Sequence, residues 1–226
     1  MVTDLEAVCL SAVIILGYWL VIRLRFRQNL LFFVPMINAH ARDAWVENMM
    51  GGGPGKDILA VQTLRNSTMA ATFFASTAIL LVIGVLNLIP RNGDVPTAVF
   101  EVLYRHALAG DVGALKLLLL LGEYFWTFFC FSLAVRMYNH VSFLINSVNE
   151  RYEFITQALV AGFLKRAGHY YSLGMHTYYL SLPVVFWLFG PVFLIIATIG
   201  AVALMFHADS AKVASKDAQV SVTLAD

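Results

Sequence analysis

Along most of the chain apolar positions recur at helical spacing, but in four stretches they run together almost without interruption. These are residues 6–24, 68–89, 114–136 and 179–206, each close to the roughly 20 residues a helix needs to cross a hydrocarbon layer of about 30 Å. The second stops at Pro90, where Arg91-Asn92-Gly93-Asp94 is a strong turn signal. The fourth carries Pro183, Gly190, Pro191 and Gly200 and reads as one kinked span. The first is followed, not preceded, by its arginines, which argues for a retained span and against a cleaved leader.

Between the spans lie residues 25–67 and 137–178, too long for turns and patterned for helices. Pro35 can open a helix that runs to about Met50. Gly51-Gly52-Gly53-Pro54-Gly55 breaks it, and Asp57 can cap a helix that enters the second span without a breaker. No proline interrupts residues 114–161, so one long helix is expected there. Its far half shows Tyr138, Val141, Ile145, Val148, Tyr152, Ile155 and Leu159 at alternating three-four spacing. That stripe needs a partner, and the segment before the second span is the natural one. Pro96, Val99, Val102, Leu103 and His106 pattern a short helix lying at the membrane surface. Residues 208–226, polar and free of aromatics, read as a disordered tail. The fold class is therefore all-α, a single membrane domain over residues 1–207. Each half reads as span, segment, span, a weak internal repeat.

Composition agrees, with 60% hydrophobic and 13% charged residues and a mean hydropathy of +0.75, against about 45–50% and 25% in soluble domains. Ten of the Lys and Arg residues fall with the two long segments and five, Arg91, Arg105, Lys116, Lys212 and Lys216, fall opposite. The excess places both long segments in the cytoplasm and both termini outside. A net charge of +1 and the lack of a basic patch exclude a nucleic-acid partner. Cys9 and Cys130 have neither metal nor redox spacing.

Chemistry has few places to sit. Thr68, Thr72 and Ser76 recur every four residues on the second span, beside the small row Ser67, Ala71 and Ala75, with Arg65 and Asn66 one turn earlier. Such rows pack helices closely or line a wet conduit, and a guanidinium there can meet an anion or a lipid phosphate. Arg136 and His140 stand at the same boundary on the third span. His40, Asp43 and Glu47 share a helical face, and Glu150 and Glu153 can oppose them. This set resembles a carboxylate-bridged metal site but lacks a Glu-x-x-His pair, and a solvated face is the plainer reading. His140 and His176 are conceivable haem ligands, with hydrogen-bonded boundary histidines as the plainer alternative. No cofactor is predicted. The glycine-rich stretch at residues 51–56 follows a helix and lacks the Ser or Thr after Lys56 of a phosphate loop. No Gly-x-Ser-x-Gly elbow and no Ser, His and Asp set with sequence context points to hydrolysis.

The stretch Ala60-Val61-Gln62-Thr63-Leu64-Arg65-Asn66-Ser67-Thr68-Met69-Ala70-Ala71-Thr72-Phe73-Phe74-Ala75-Ser76-Thr77, with Tyr170-Tyr171-Ser172-Leu173-Gly174-Met175 and Leu188-Phe189-Gly190-Pro191, resembles the membrane family called domain of unknown function 599. The resemblance implies a multi-spanning protein of a bacterial inner membrane and carries no activity with it. The sequence thus supports a non-enzymatic protein in the lipid bilayer, expected to form a homo-oligomer that passes an ion or small solute. The alternatives are a subunit of a larger membrane complex, docking through Trp19, Trp126, Trp187 and the aromatic run at residues 125–131, and a metal- or haem-binding redox protein.

Overall fold

The computed structural model describes residues 3–28, 34–88, 111–147 and 154–210. Among them are six helices and no strand: α1 (Asp4–Gln28), α2 (Val34–Met50), α3 (Lys56–Asn87), α4 (Asp111–Leu144), α5 (Gln157–Trp187) and α6 (Pro191–Asp209). Four are long and apolar enough to cross a membrane, over Asp4–Leu24, Lys56–Asn87, Val112–Leu144 and Pro191–Asp209. Their outward faces are greasy: Leu16, Phe73, Leu118 and Ile196 are 67%, 67%, 69% and 62% exposed. Water would penalise such a surface, whereas lipid does not, and the closest packing inside is left to small residues such as Ala71, Ala75, Ala78 and Ala134.

α4 is central, flanked by α3 and α5. α6 packs on α5 and carries α1 on its other side, while α2 lies mainly on α5. One core joins α2, α3, α4 and α5 around Val46, Leu64, Phe131, Val141 and Leu164. A second, toward the opposite end, joins Ala7, Val82, Leu120, Val184 and Leu194. Where the first core meets the spans, Phe74 and Phe131 stack at 5.3 Å and Tyr178 stands 5.8 Å from Phe131. Gly174 makes this possible, because a Cβ there would come within 2.9 Å of the Phe131 ring.

Several sequence expectations need correction. The fourth span is not one kinked helix. After Trp187 the chain turns through Leu188, Phe189 and Gly190, whose φ of 137° suits glycine, and Pro191 opens α6 in the reverse direction. The residues nominated as kinks thus make a hairpin, and it carries the chain the length of the bundle twice. At one end Asp4 accepts from Trp187 Nε1 at 2.6 Å and lies 3.5 Å from the Lys116 ammonium. At the other, Tyr18, His176 and Asp209 meet. Asp4 and Asp209 therefore sit at opposite ends of the bundle, where a single span would have brought them to the same end.

The long helix over residues 114–161 is also two helices. α4 ends at Leu144, and α5 starts afresh on Thr156, extended at φ −90° and ψ 156°, whose hydroxyl caps Leu159 N at 3.2 Å. The stripe divides accordingly. Tyr138, Val141 and Ile145 are buried against α2, α3 and α5, whereas Leu159 is exposed and its neighbour Val160 takes the inward place. Val148 and Tyr152 lie outside the described residues, as do the expected surface helix around Pro96 and most of the expected tail. The start of that tail moves, because Ala208 and Asp209 belong to α6 and Asp209 is buried.

The segment before the second span is as expected except at the cap of its second helix. α2 ends at Met50, and Gly52, Gly53 and Gly55 all take positive φ. α3 then runs unbroken into its span, with Gly55, not the side chain of Asp57, at its cap. Lys56 Nζ donates to the Asn48 carbonyl at 2.9 Å and closes the turn on itself.

Candidate functional site

On α5, Lys165, Gly168, His169, Ser172, His176 and Tyr179 fall three or four residues apart and so share one face, about 21 Å long at 1.5 Å per residue. This face forms a wall of a cavity of about 500 Å³, closed by the start of α2 and the end of α6. That volume is within the range of roughly 300–1,000 Å³ typical of small-molecule sites.

The wall is graded. At one end are Arg42, Lys165 and His169, with Asn38 beside them. The Arg42 guanidinium lies directly on Gly168, where a Cβ would overlap it, so α2 reaches α5 only because residue 168 has no side chain. Arg42 has no hydrogen-bond or ion-pair partner among the described residues. Lys165 is partly neutralised by Asp43, at 2.9 Å between exposed groups. At the other end the lining turns apolar with Met175, Tyr179 and Met205, the last fully buried against Tyr18 and Ile22.

Between the two ends stands a charged network. His176 Nε2 lies 2.8 Å from Asp209 Oδ2, Tyr18 Oη donates to the same oxygen at 2.6 Å, and His176 Nδ1 is 2.8 Å from the Ser172 carbonyl oxygen. Ser172 Oγ is 3.4 Å from Nδ1. The fold therefore gathers the Ser, His and Asp that sequence context did not connect, yet their geometry opposes a hydrolytic relay. Each ring nitrogen faces an acceptor, so the ring donates from both, and no lone pair is left to take a proton from Ser172. The arrangement is an imidazolium–carboxylate pair that ties α1, α5 and α6 together.

The residues singled out from sequence are scattered by comparison. Arg65, Asn66, Thr72 and Ser76 are exposed on the outward side of α3 and Thr68 is half-buried, whereas Ala71 and Ala75 of the neighbouring row face the core. Arg136 and His140 are exposed on α4, with His140 against Phe163 at 5.6 Å. Among the described residues no side-chain hydrogen bond or ion pair joins any of these seven. Of the metal candidates, His40 and Glu47 are exposed and Asp43 is held by Lys165. No group of three His, Cys, Asp or Glu side chains able to hold a metal occurs among the described residues, and Glu150 and Glu153 lie outside them.

One further residue was missed. Glu123 on α4 buries an oxygen that lacks a partner among the described residues, and Thr127 one turn on does the same. The signal was in plain view, a lone acid inside an apolar run. Asp209 gave no such signal, since its partners are 33 and 191 residues away in sequence.

No curated protein and no solved structure matches this chain. The model of the family described as Protein of unknown function, DUF599, matches residues 6–214, nearly the whole of it. That match covers well over half of the chain, and the chain belongs to the family.

Proposed function

We propose that this protein binds an anionic ligand at the cytoplasmic boundary of its membrane, in the cavity between α2, α5 and α6. The observation that carries the reading is Arg42, a guanidinium seated on Gly168 and unpaired among the described residues, with Lys165 and His169 beside it. A planar fork of donors at a lined cavity suits a carboxylate or phosphate. Asp209 also lines the cavity, but His176 and Tyr18 already occupy it.

The hairpin supports the cytoplasmic placement. With the second half of α5 and α6 as separate crossings, Asp4 and Asp209 lie on opposite sides, and Asp209 is on the side of Arg42. Among the described Lys and Arg, Arg23, Arg42, Lys56, Arg65, Arg136, Lys165 and Arg166 lie toward the Asp209 end and Lys116 toward the Asp4 end, and the positive excess belongs on the cytoplasmic side. Lys116 is 5% exposed and set against Asp4. On this reading Asp4 is outside and Asp209 cytoplasmic.

Purified protein in dodecyl maltoside tests the reading through its thermal unfolding midpoint, measured with inorganic phosphate, citrate and dodecyl phosphate. At least one anion raises the midpoint of the native chain and not that of Arg42→Gln. Equal responses, or none, contradict it.

A second reading concerns assembly, and the exposed polar row on α3 favours it. Thr72, Ser76, Arg65 and Asn66 face outward from a membrane span, where a second copy satisfies them better than lipid. Any conduit through that row passes between copies. Thr72→Cys in a background without Cys9 and Cys130 should form disulfide dimers in membranes, and a purely monomeric product argues against a homo-oligomer joined on this face.

A further inference from the structure

Resting on the anion-binding reading, we infer that the ligand is an amphiphile: a phosphate head held by Arg42 and Lys165, with an apolar tail laid along α5 toward Tyr179 and Met205. The cavity's gradient is the argument. Its cationic groups stand at the Lys165 end of the shared α5 face, and the apolar side chains of Met175 and Tyr179 lie about 15 and about 21 Å farther along it. A small free anion would use the first few ångströms of this wall and leave the rest idle.

The direction of the gradient matters as much as its existence. α5 runs from Lys165 toward Trp187, that is, from the Asp209 end of the bundle toward the Asp4 end, and its Tyr179 end joins the layer of the spans. The polar end of the cavity therefore faces away from the hydrocarbon and the apolar end faces into it. A lipid in a bilayer is oriented the same way, headgroup out and chain inward, so it can enter without inverting.

The polar groups midway do not spoil the fit. Asp209 would repel a phosphate, but its charge is matched by His176 and its oxygen is occupied by Tyr18. Pro183, inside α5, cannot donate to the carbonyl of Tyr179 four residues earlier, so the helix is weakened where the apolar end closes. α2 touches α6 only lightly, which leaves a seam between them along which a chain can slide. A membrane lipid and a free phosphate ester present the same phosphate chemistry, and only the tail separates them.

The test titrates three probes against the native chain in dodecyl maltoside: dodecyl phosphate (head and tail), inorganic phosphate (head alone) and added dodecyl maltoside (tail with a neutral head). Dodecyl phosphate should raise the unfolding midpoint with an affinity at least tenfold above that of inorganic phosphate, and added dodecyl maltoside should leave it unchanged. Arg42→Gln and Lys165→Gln should each weaken dodecyl phosphate at least fivefold, and Met175→Trp, which fills the apolar end, should weaken dodecyl phosphate while sparing inorganic phosphate. Inorganic phosphate binding as tightly as dodecyl phosphate, in an Arg42-dependent way, overturns the amphiphile and leaves the anion site standing. No difference between the native chain and either charge variant for any probe overturns both. Should one variant fail to fold, the other carries the comparison.

Discussion

Replacing Asp209 by Asn keeps the size and shape of the side chain and removes its charge. The amide carbonyl still accepts from Tyr18, which donates at 2.6 Å, but the ion pair with His176 at 2.8 Å is lost. Hydrogen bonds to charged groups contribute about 1.5–3 kcal/mol, and interhelical bonds inside membranes average nearer about 0.6 kcal/mol. Both partners here are largely buried, at 15% and 11% side-chain exposure, and a ring that faces an acceptor at each nitrogen makes the bond charge-assisted, so the upper range applies and the coupling should be about 2 kcal/mol. The assay is a double-mutant cycle of Asp209→Asn and His176→Gln, read by reversible unfolding in mixed micelles. Tyr18→Phe, coupled separately to Asp209→Asn, should give about 1 kcal/mol, since the neutral amide retains part of the bond. A His176–Asp209 coupling below about 0.5 kcal/mol would refute the claim that this pair ties α6 to α5, even if each single variant destabilises.

Gly174→Ala should cost about 1–3 kcal/mol by overpacking Phe131, whereas Gly162→Ala, whose Cβ meets nothing within 4 Å, should be neutral or stabilising by up to about 1 kcal/mol; equal effects in the same unfolding assay would contradict the packing. Gly168→Ala displaces the Arg42 guanidinium and should abolish the Arg42-dependent response to dodecyl phosphate while the helix content by circular dichroism is retained. Glu123→Leu removes an acid whose buried oxygen is unpartnered among the described residues and should raise stability by about 1–3 kcal/mol; a clear loss would mean that the carboxyl has a partner. In intact cells, with Cys9 and Cys130 replaced, an impermeant maleimide should label a cysteine placed at Thr3 and spare one placed at Ser210 until the cells are opened.

The spans, the glycine break after α2 and the all-helical class were legible because each rests on local composition. Apolar runs mark lipid-facing helices whatever they pack against, and Gly52, Gly53 and Gly55 adopt positive φ as their residue type allows. Gly190 and Pro191 were legible too, but ambiguous, since the same pair kinks a helix or turns it back. The choice depends on Asp4 meeting Trp187 and His176 meeting Asp209, contacts that no local pattern encodes. Arg65, with the Thr row beyond it, drew attention because polar residues on an apolar span stand out, yet they face away from the bundle. Arg42 and Lys165 did not stand out, sitting on helices of mixed character 123 positions apart, and Gly168 gave no hint that it was the seat for a guanidinium.

Native mass spectrometry of the protein extracted gently from its own membrane puts the binding claim to its most direct test. The native chain should retain a phosphate-bearing lipid at one per chain, and Arg42→Gln, extracted identically and equally folded, should have lost it. Equal retention by the two, or no retained phosphate-bearing lipid on the native chain, would contradict the account.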